Sequence, residues 1–126
     1  MRAADRLARF NRALPNRVIR RFAGRIPPLA VVEHRGRRSG RAYRTPVVAF
    51  GLPDGNLVAL FYGADRDWVR NVLAAGSCTL QRGGRRVERT APRLLGRDDA
   101  LALAPAPLRA VLRPLRVARF MRLGAR

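Results

Sequence analysis

The sequence contains no lysine: all 27 basic residues are arginine, against 8 acidic residues, for a formal net charge of +19. A single cysteine, Cys78, excludes an internal disulfide. A single histidine, His34, argues against a metal site built on His and Cys ligands, so no metal is expected. No apolar run approaches the roughly 18 residues needed to cross a bilayer. The arginine-rich N-terminus also lacks the continuous apolar stretch of a secretory signal. These features fit a cytoplasmic protein. Aromatic residues are only 6% of the chain, too few to interleave the arginines with stacking faces, so a nucleic-acid-binding module is disfavoured. Ser39 and Ser77 have no His and Asp partners close in the pattern, which leaves a hydrolase triad poorly supported. With no acid, base, nucleophile or metal set of its own, an enzyme here would depend on a bound cofactor.

The 126 residues suit one domain, and the charge divides it. Residues 1–44 hold 13 Arg against Asp5 and Glu33, residues 45–108 hold 8 Arg against six acids, and residues 109–126 add six Arg with no acid. A GC-rich codon bias explains arginine in place of lysine but not this placement. The cationic ends attract phosphate, anionic lipid or nucleic acid without choosing among them. Leu7, Phe10 and Leu14 lie at helical spacing, and Val18, Ile19 and Phe22 continue after Pro15, so residues 1–26 read as a basic helical arm ended by Pro27-Pro28.

Residues 29–95 read as the core. Strands are expected at Leu29–His34 and Tyr43–Phe50, with a hairpin through Pro53-Asp54-Gly55-Asn56 to a strand at Leu57–Tyr62. Asp65 or Asp67 can cap a helix that buries Trp68, Val69, Val72 and Leu73 and stops at Gly76. A second hairpin turns at Gly83-Gly84 and runs on to Leu95. Residues 96–126 read as a basic segment broken by Pro105, Pro107 and Pro114, with a helical turn at Asp98–Leu103. The fold class is mainly β (α+β): an antiparallel barrel with helices at its ends and one across it.

The turn Gly36-Arg37-Arg38-Ser39-Gly40 is the strongest binding feature. Its glycines permit close backbone approach, its amides and the Ser39 hydroxyl can donate, and its arginines supply charge, with Arg44 a candidate partner for Arg38 in a guanidinium clamp. It is not a nucleotide-binding P-loop, because the Gly-Lys-Ser/Thr ending and following helix are absent. Alternative readings stay open elsewhere. Trp68 suits a core anchor or a cofactor contact, and Tyr62 either lines a ring pocket or caps the core. His34 reads as an ordinary strand residue, and Cys78 as a small core side chain.

Taken in order, Gly36–Gly40, Arg44-Thr45-Pro46, Asp54-Gly55, Tyr62-Gly63 and Asp67-Trp68-Val69-Arg70-Asn71 resemble the deazaflavin (coenzyme F420)-dependent nitroreductase family, over about residues 29–95. The resemblance implies a split β-barrel of the FMN-binding-like kind, common in actinobacteria. It also implies coenzyme F420 as cofactor, with FMN as the alternative, and hydride transfer to a small acceptor such as a quinone or nitro-compound. It implies a cofactor site at Arg37, Arg38 and Ser39 of the turn, Arg44, Thr45 and Pro46 of the next strand, Tyr62 and Gly63 at the ring, and Trp68 and Asn71 on the covering helix. Tyr62 is the candidate for assisting the transfer. The family pattern has arginine two residues before the threonine, where this chain has Tyr43. The one-residue shift places Arg44 on the opposite face of a strand. A non-catalytic cofactor carrier is the second reading. A homodimer and an anionic membrane surface met by the terminal Arg-rich segments are further implied partners.

Overall fold

The computed structural model describes residues 29–125. Nine elements follow in order: β1 (Leu29–Arg35), β2 (Ala42–Leu52), β3 (Gly55–Ala59), α1 (Asp67–Ala75), β4 (Ser77–Arg82), β5 (Arg85–Gly96), α2 (Arg97–Leu103), α3 (Ala106–Leu112) and β6 (Arg119–Gly124). The six strands close an antiparallel barrel in the order β1-β2-β3-β6-β5-β4. Closure leaves no unpaired strand edge, which is how a small sheet avoids pairing with other chains.

Side-chain alternation divides the core into two clusters. Ala30 and Val32 of β1, Val47 and Ala49 of β2, Val58 of β3, Cys78 and Leu80 of β4, and Met121 and Leu123 of β6 fill the barrel interior. Phe50, Leu57, Ala59 and Phe120 project the other way and bury against Ala100 and Ala104 at α2, Leu112 of α3 and Val117. Burial raises the Cys78 thiol pKa to about 11, opposed in part by the Arg89 charge, so it stays a neutral core group.

α1 lies across one end of the barrel, where Val69 and Val72 join the interior cluster. It stops at Gly76, whose φ of 73° suits a residue without a Cβ and whose amide returns to the Val72 carbonyl at 2.9 Å. The expected cap is not made: Arg66 occupies the N-cap position without a side-chain bond. Asp65 instead pairs with Arg70, and Asp67 with Arg37. Both carboxylates are drawn to a nearby guanidinium.

Three boundaries differ from the sequence reading. β3 ends at Ala59, so Tyr62 and Gly63 sit in the following turn; the Gly63 amide bonds the Leu60 carbonyl at 3.0 Å. β5 is broken by an irregularity between Thr90 and Arg93, where Ala91 takes a φ of 49°. The barrel does not end at residue 95. Arg119–Gly124, read as a tail, is the sixth strand and lies between β3 and β5. The proline-broken stretch before it folds as α2 and α3, and several of its arginines are structural. Arg97 donates to the Arg113 and Leu115 carbonyls at 2.6 Å each, and Arg109 to Leu101 and Ala104 at 3.1 Å each. Arg122 meets Asp54 at 2.5 Å. The expected helical arm at 1–26 lies outside the described residues. Among those described, no helix is long and apolar enough to cross a membrane.

Gly55 marks where β6 approaches the β2–β3 turn most closely: its φ is 154°, and a Cβ there would overlap the Leu123 carbonyl oxygen. Gly55→Ala is therefore expected to cost at least ~2 kcal/mol through backbone displacement and strain. Gly40→Ala, at φ 71° with open space around it, should cost about 1 kcal/mol. Urea denaturation of both variants checks the order.

Candidate functional site

The turn between β1 and β2 is closed by its own backbone. Gly36 donates to the Arg41 carbonyl and Gly40 to the Gly36 carbonyl, both at 2.8 Å. Ser39 folds back over the turn, its Oγ accepting from the Arg41 amide at 3.2 Å. A Cβ at position 36 would stand 2.6 Å from that Oγ and 3.3 Å from the Tyr43 ring, so glycine is what lets the hydroxyl fold in. The amides of Arg38 and Ser39 take no part in these bonds. Both residues are exposed, and among the described residues the Arg38 guanidinium has no ion-pair partner. A turn offering spare amides, a hydroxyl and a cation is suited to an anion.

A buried polar chain ties this turn to α1. Asn71, 5% exposed, accepts through Oδ1 from the Arg37 amide at 3.1 Å and from Arg37 Nη1 at 2.8 Å. Arg37 Nη2 reaches Asp67 at 3.4 Å. Asn71 Nδ2 lies 3.2 Å from His34 Nδ1, and His34 Nε2 lies 3.0 Å from Thr45 Oγ1. Tyr43 stacks on the imidazole with ring centroids 5.7 Å apart. These groups, with Arg38, Ser39, Arg44, Arg66 and Trp68, line an open cavity of about 580 Å³.

A second, narrow cavity of about 30 Å³ adjoins it and shares Arg66 and Trp68. Pro46, Leu60, Phe61, Tyr62 and Gly63 are among its walls. Arg66 holds its guanidinium over the Tyr62 ring, 5.1 Å from the centroid. The cationic basin and the small, largely apolar cavity thus share Arg66 and Trp68 as walls.

All ten residues expected at the site border one of the two cavities, but their situations differ. Arg38, Ser39 and Thr45 present groups to the larger one. Arg37 and Asn71 also border it, yet their polar groups are largely used on each other, on Asp67 and on His34. Arg44, the expected clamp partner of Arg38, borders the larger cavity with it and has partners of its own. Its guanidinium is taken by Gln81 at 2.5 Å and Glu33 at 3.6 Å, because alternation turns it away from the face that carries Tyr43 and Thr45.

His34, Tyr43, Arg66 and Asp67 line the site and were not singled out for it. His34 had a legible signal: it continues the inward series Ala30, Val32 and places a polar ring where apolar side chains precede it, beside a glycine turn. Arg66 and Asp67 had none, since the turn from Leu60 to Arg66 aims them. Among the described residues no cluster could hold a metal ion.

Burial lowers the His34 pKa from 6.5, so the imidazole is neutral at pH 7. The unfolded chain takes up this proton at higher pH than the folded one, so stability is full above pH 6.5 and falls as pH drops through the lowered folded value. Thermal melts of the full chain between pH 7.5 and 5 are expected to show this loss, and His34→Gln to flatten the profile.

Residues 3–110 match the model of the F420H(2)-dependent quinone reductase family. A search of curated proteins gives no match. Among solved structures, the fold is similar to an F420-H2 dependent reductase (FDR-A) at 21% identity and a TM-score of 0.54, over 77% of this chain and 94% of that one. It is similar also to a protein described as a domain-swapped dimer, at 18% identity and a TM-score of 0.50, over 91% and 98%. At such identities the structures establish the split-barrel fold, while the family match spans most of the sequence: the chain belongs to the F420H(2)-dependent quinone reductase family, oxidoreductases whose cofactor is coenzyme F420.

Proposed function

We propose that this protein takes reduced coenzyme F420 into the cavity between the Gly36–Gly40 turn and α1 and reduces a quinone there, beside the apolar walls that adjoin Trp68. The observation that carries the reading is the contiguity of a cationic, amide-rich turn with an apolar slot through Arg66 and Trp68. The donor set fits the cofactor: Arg38, Ser39 and two spare amides suit a phosphate, and the surrounding arginines suit an acidic tail. When bound, the reduced deazaflavin supplies the hydride.

The protein's own groups do the rest. Arg37 and Asn71 hold the turn against α1, so the anion-binding amides are in place before the ligand arrives. Trp68, Pro46 and Leu60 wall the slot and limit water. Tyr62, about half exposed at its mouth, offers a hydroxyl to the acceptor oxygen, as hydrogen-bond or proton donor. Thr45 borders the basin beside the turn. Arg44, held by Glu33 and Gln81, borders the basin and adds to its charge. The family match supports a quinone as the acceptor, and the apolar side chains around Trp68 suit its ring. A homodimer accords with the similar protein described as a domain-swapped dimer, and sedimentation would measure it.

Fluorescence titration of the full chain with coenzyme F420, run alongside FMN, tests the reading. Saturable binding of the deazaflavin is expected, weakened roughly tenfold by Arg38→Ala and less by Ser39→Ala. Higher salt should weaken it too, because the turn is exposed. Reduced cofactor should then be oxidised on adding a water-soluble quinone. Folded protein that binds FMN in preference, or neither, would overturn the assignment. Binding without oxidation would favour a carrier.

A further inference from the structure

The hydrogen bonds around Asn71 fix the direction of every proton in the chain that leads to Thr45. Oδ1 receives an amide and a guanidinium N–H from Arg37, and both can only donate. The side-chain amide therefore cannot be flipped, and Nδ2 donates to His34 Nδ1 at 3.2 Å. A neutral imidazole that accepts at Nδ1 carries its proton on Nε2. That proton points to Thr45 Oγ1 at 3.0 Å. Thr45 Oγ1 thus uses a lone pair on His34, and its own proton has no other partner among the described residues. Thr45 lines the larger cavity.

We propose that His34 is a positioning residue: the Arg37–Asn71–His34 relay fixes the Thr45 hydroxyl as a hydrogen-bond donor into the cavity, presented to an acceptor atom of the bound cofactor. The ligand part rests on the cofactor site proposed above. The other protonation states break the relay. A proton on Nδ1 would oppose the Asn71 amide hydrogens, and an imidazolium would oppose them while adding charge. Asn71 from α1, Thr45 and Tyr43 from β2, and behind them Arg37 of the turn and Asp67 of α1 are the groups that face the ring. Burial also disfavours the imidazolium. Acidification should therefore loosen cofactor binding as well as the fold.

Because His34 is the only histidine, imidazole nitrogen NMR of the 15N-labelled full chain reads one residue without ambiguity. The expected spectrum at neutral pH is the neutral Nε2-protonated tautomer; the Nδ1-protonated form or an imidazolium would overturn the relay. The functional arm uses cofactor affinity measured by fluorescence. Thr45→Val should weaken binding roughly tenfold, the loss of one donated hydrogen bond. His34→Phe should weaken it comparably in the wild-type background and add nothing to Thr45→Val. His34→Gln, whose amide can still donate toward Thr45, should recover part of the loss. Additive losses, or no loss from His34→Phe, would overturn the positioning role. A chain with the expected tautomer that binds no cofactor would overturn the ligand assignment and leave the relay standing, so the two failures are distinguishable.

Discussion

One buried amide couples the loop that can hold an anion to the helix that closes the barrel. Asn71 receives the Arg37 backbone and side chain on its oxygen and faces His34 through its nitrogen. Its partners come from the β1–β2 turn and from β1, so the turn, the first strand and α1 cannot shift independently. An unpaired amide at this depth would carry a desolvation cost of about 1–3 kcal/mol. That cost favours the assembled arrangement over any in which the turn swings away. The free amides and the Arg38 side chain of the turn are consequently displayed on a rigid support, although they lie in an exposed loop.

The arginine excess looks different once its partners are known. Arg97 and Arg109 serve as donors for carbonyls at the helix ends, while Arg44 and Arg86 bracket Glu33. Arg82 and Arg89 reach the Ala49 carbonyl and Asn56. Arg37 is a brace and Arg66 covers an aromatic face. Many of the guanidiniums are thus structural donors, a use for which their five fixed N–H groups suit them. Arg38, beside the spare amides, has no ion-pair partner among the described residues.

The two cavities differ in chemistry. The larger, polar one carries Arg38 and Ser39, the groups proposed above to meet an anion. The small one is walled by Pro46, Trp68 and the Tyr62 turn. Chemistry in such a site comes from how closely the protein holds two partners, and the lack of a catalytic acid, base and nucleophile set in the sequence is in keeping with that.

Strand alternation, the glycine turn, the helix stop at Gly76 and the hairpin signals are local, and local physics made them legible: the barrel class, the position of α1 and the Arg38–Ser39 turn were all readable from residue order. Arg119–Gly124 escaped because its neighbours in the sheet, β3 and β5, are distant in sequence, and a basic strand after three prolines carries no local mark of closure. Arg44 and Asn71 were placed at the site by the sequence, but their hydrogen-bond partners were not legible. Their residue types suggested ligand contacts, but which group takes a donor depends on what lies across the fold: Glu33 and Gln81 for one, Arg37 and His34 for the other. Sequence by itself determined that a basic glycine turn precedes a strand in a small β barrel. Only the tertiary structure decided that Arg37 of that turn bonds Asn71 while Arg38 has no ion-pair partner among the described residues, because hydrogen-bond partners are assigned by proximity in space.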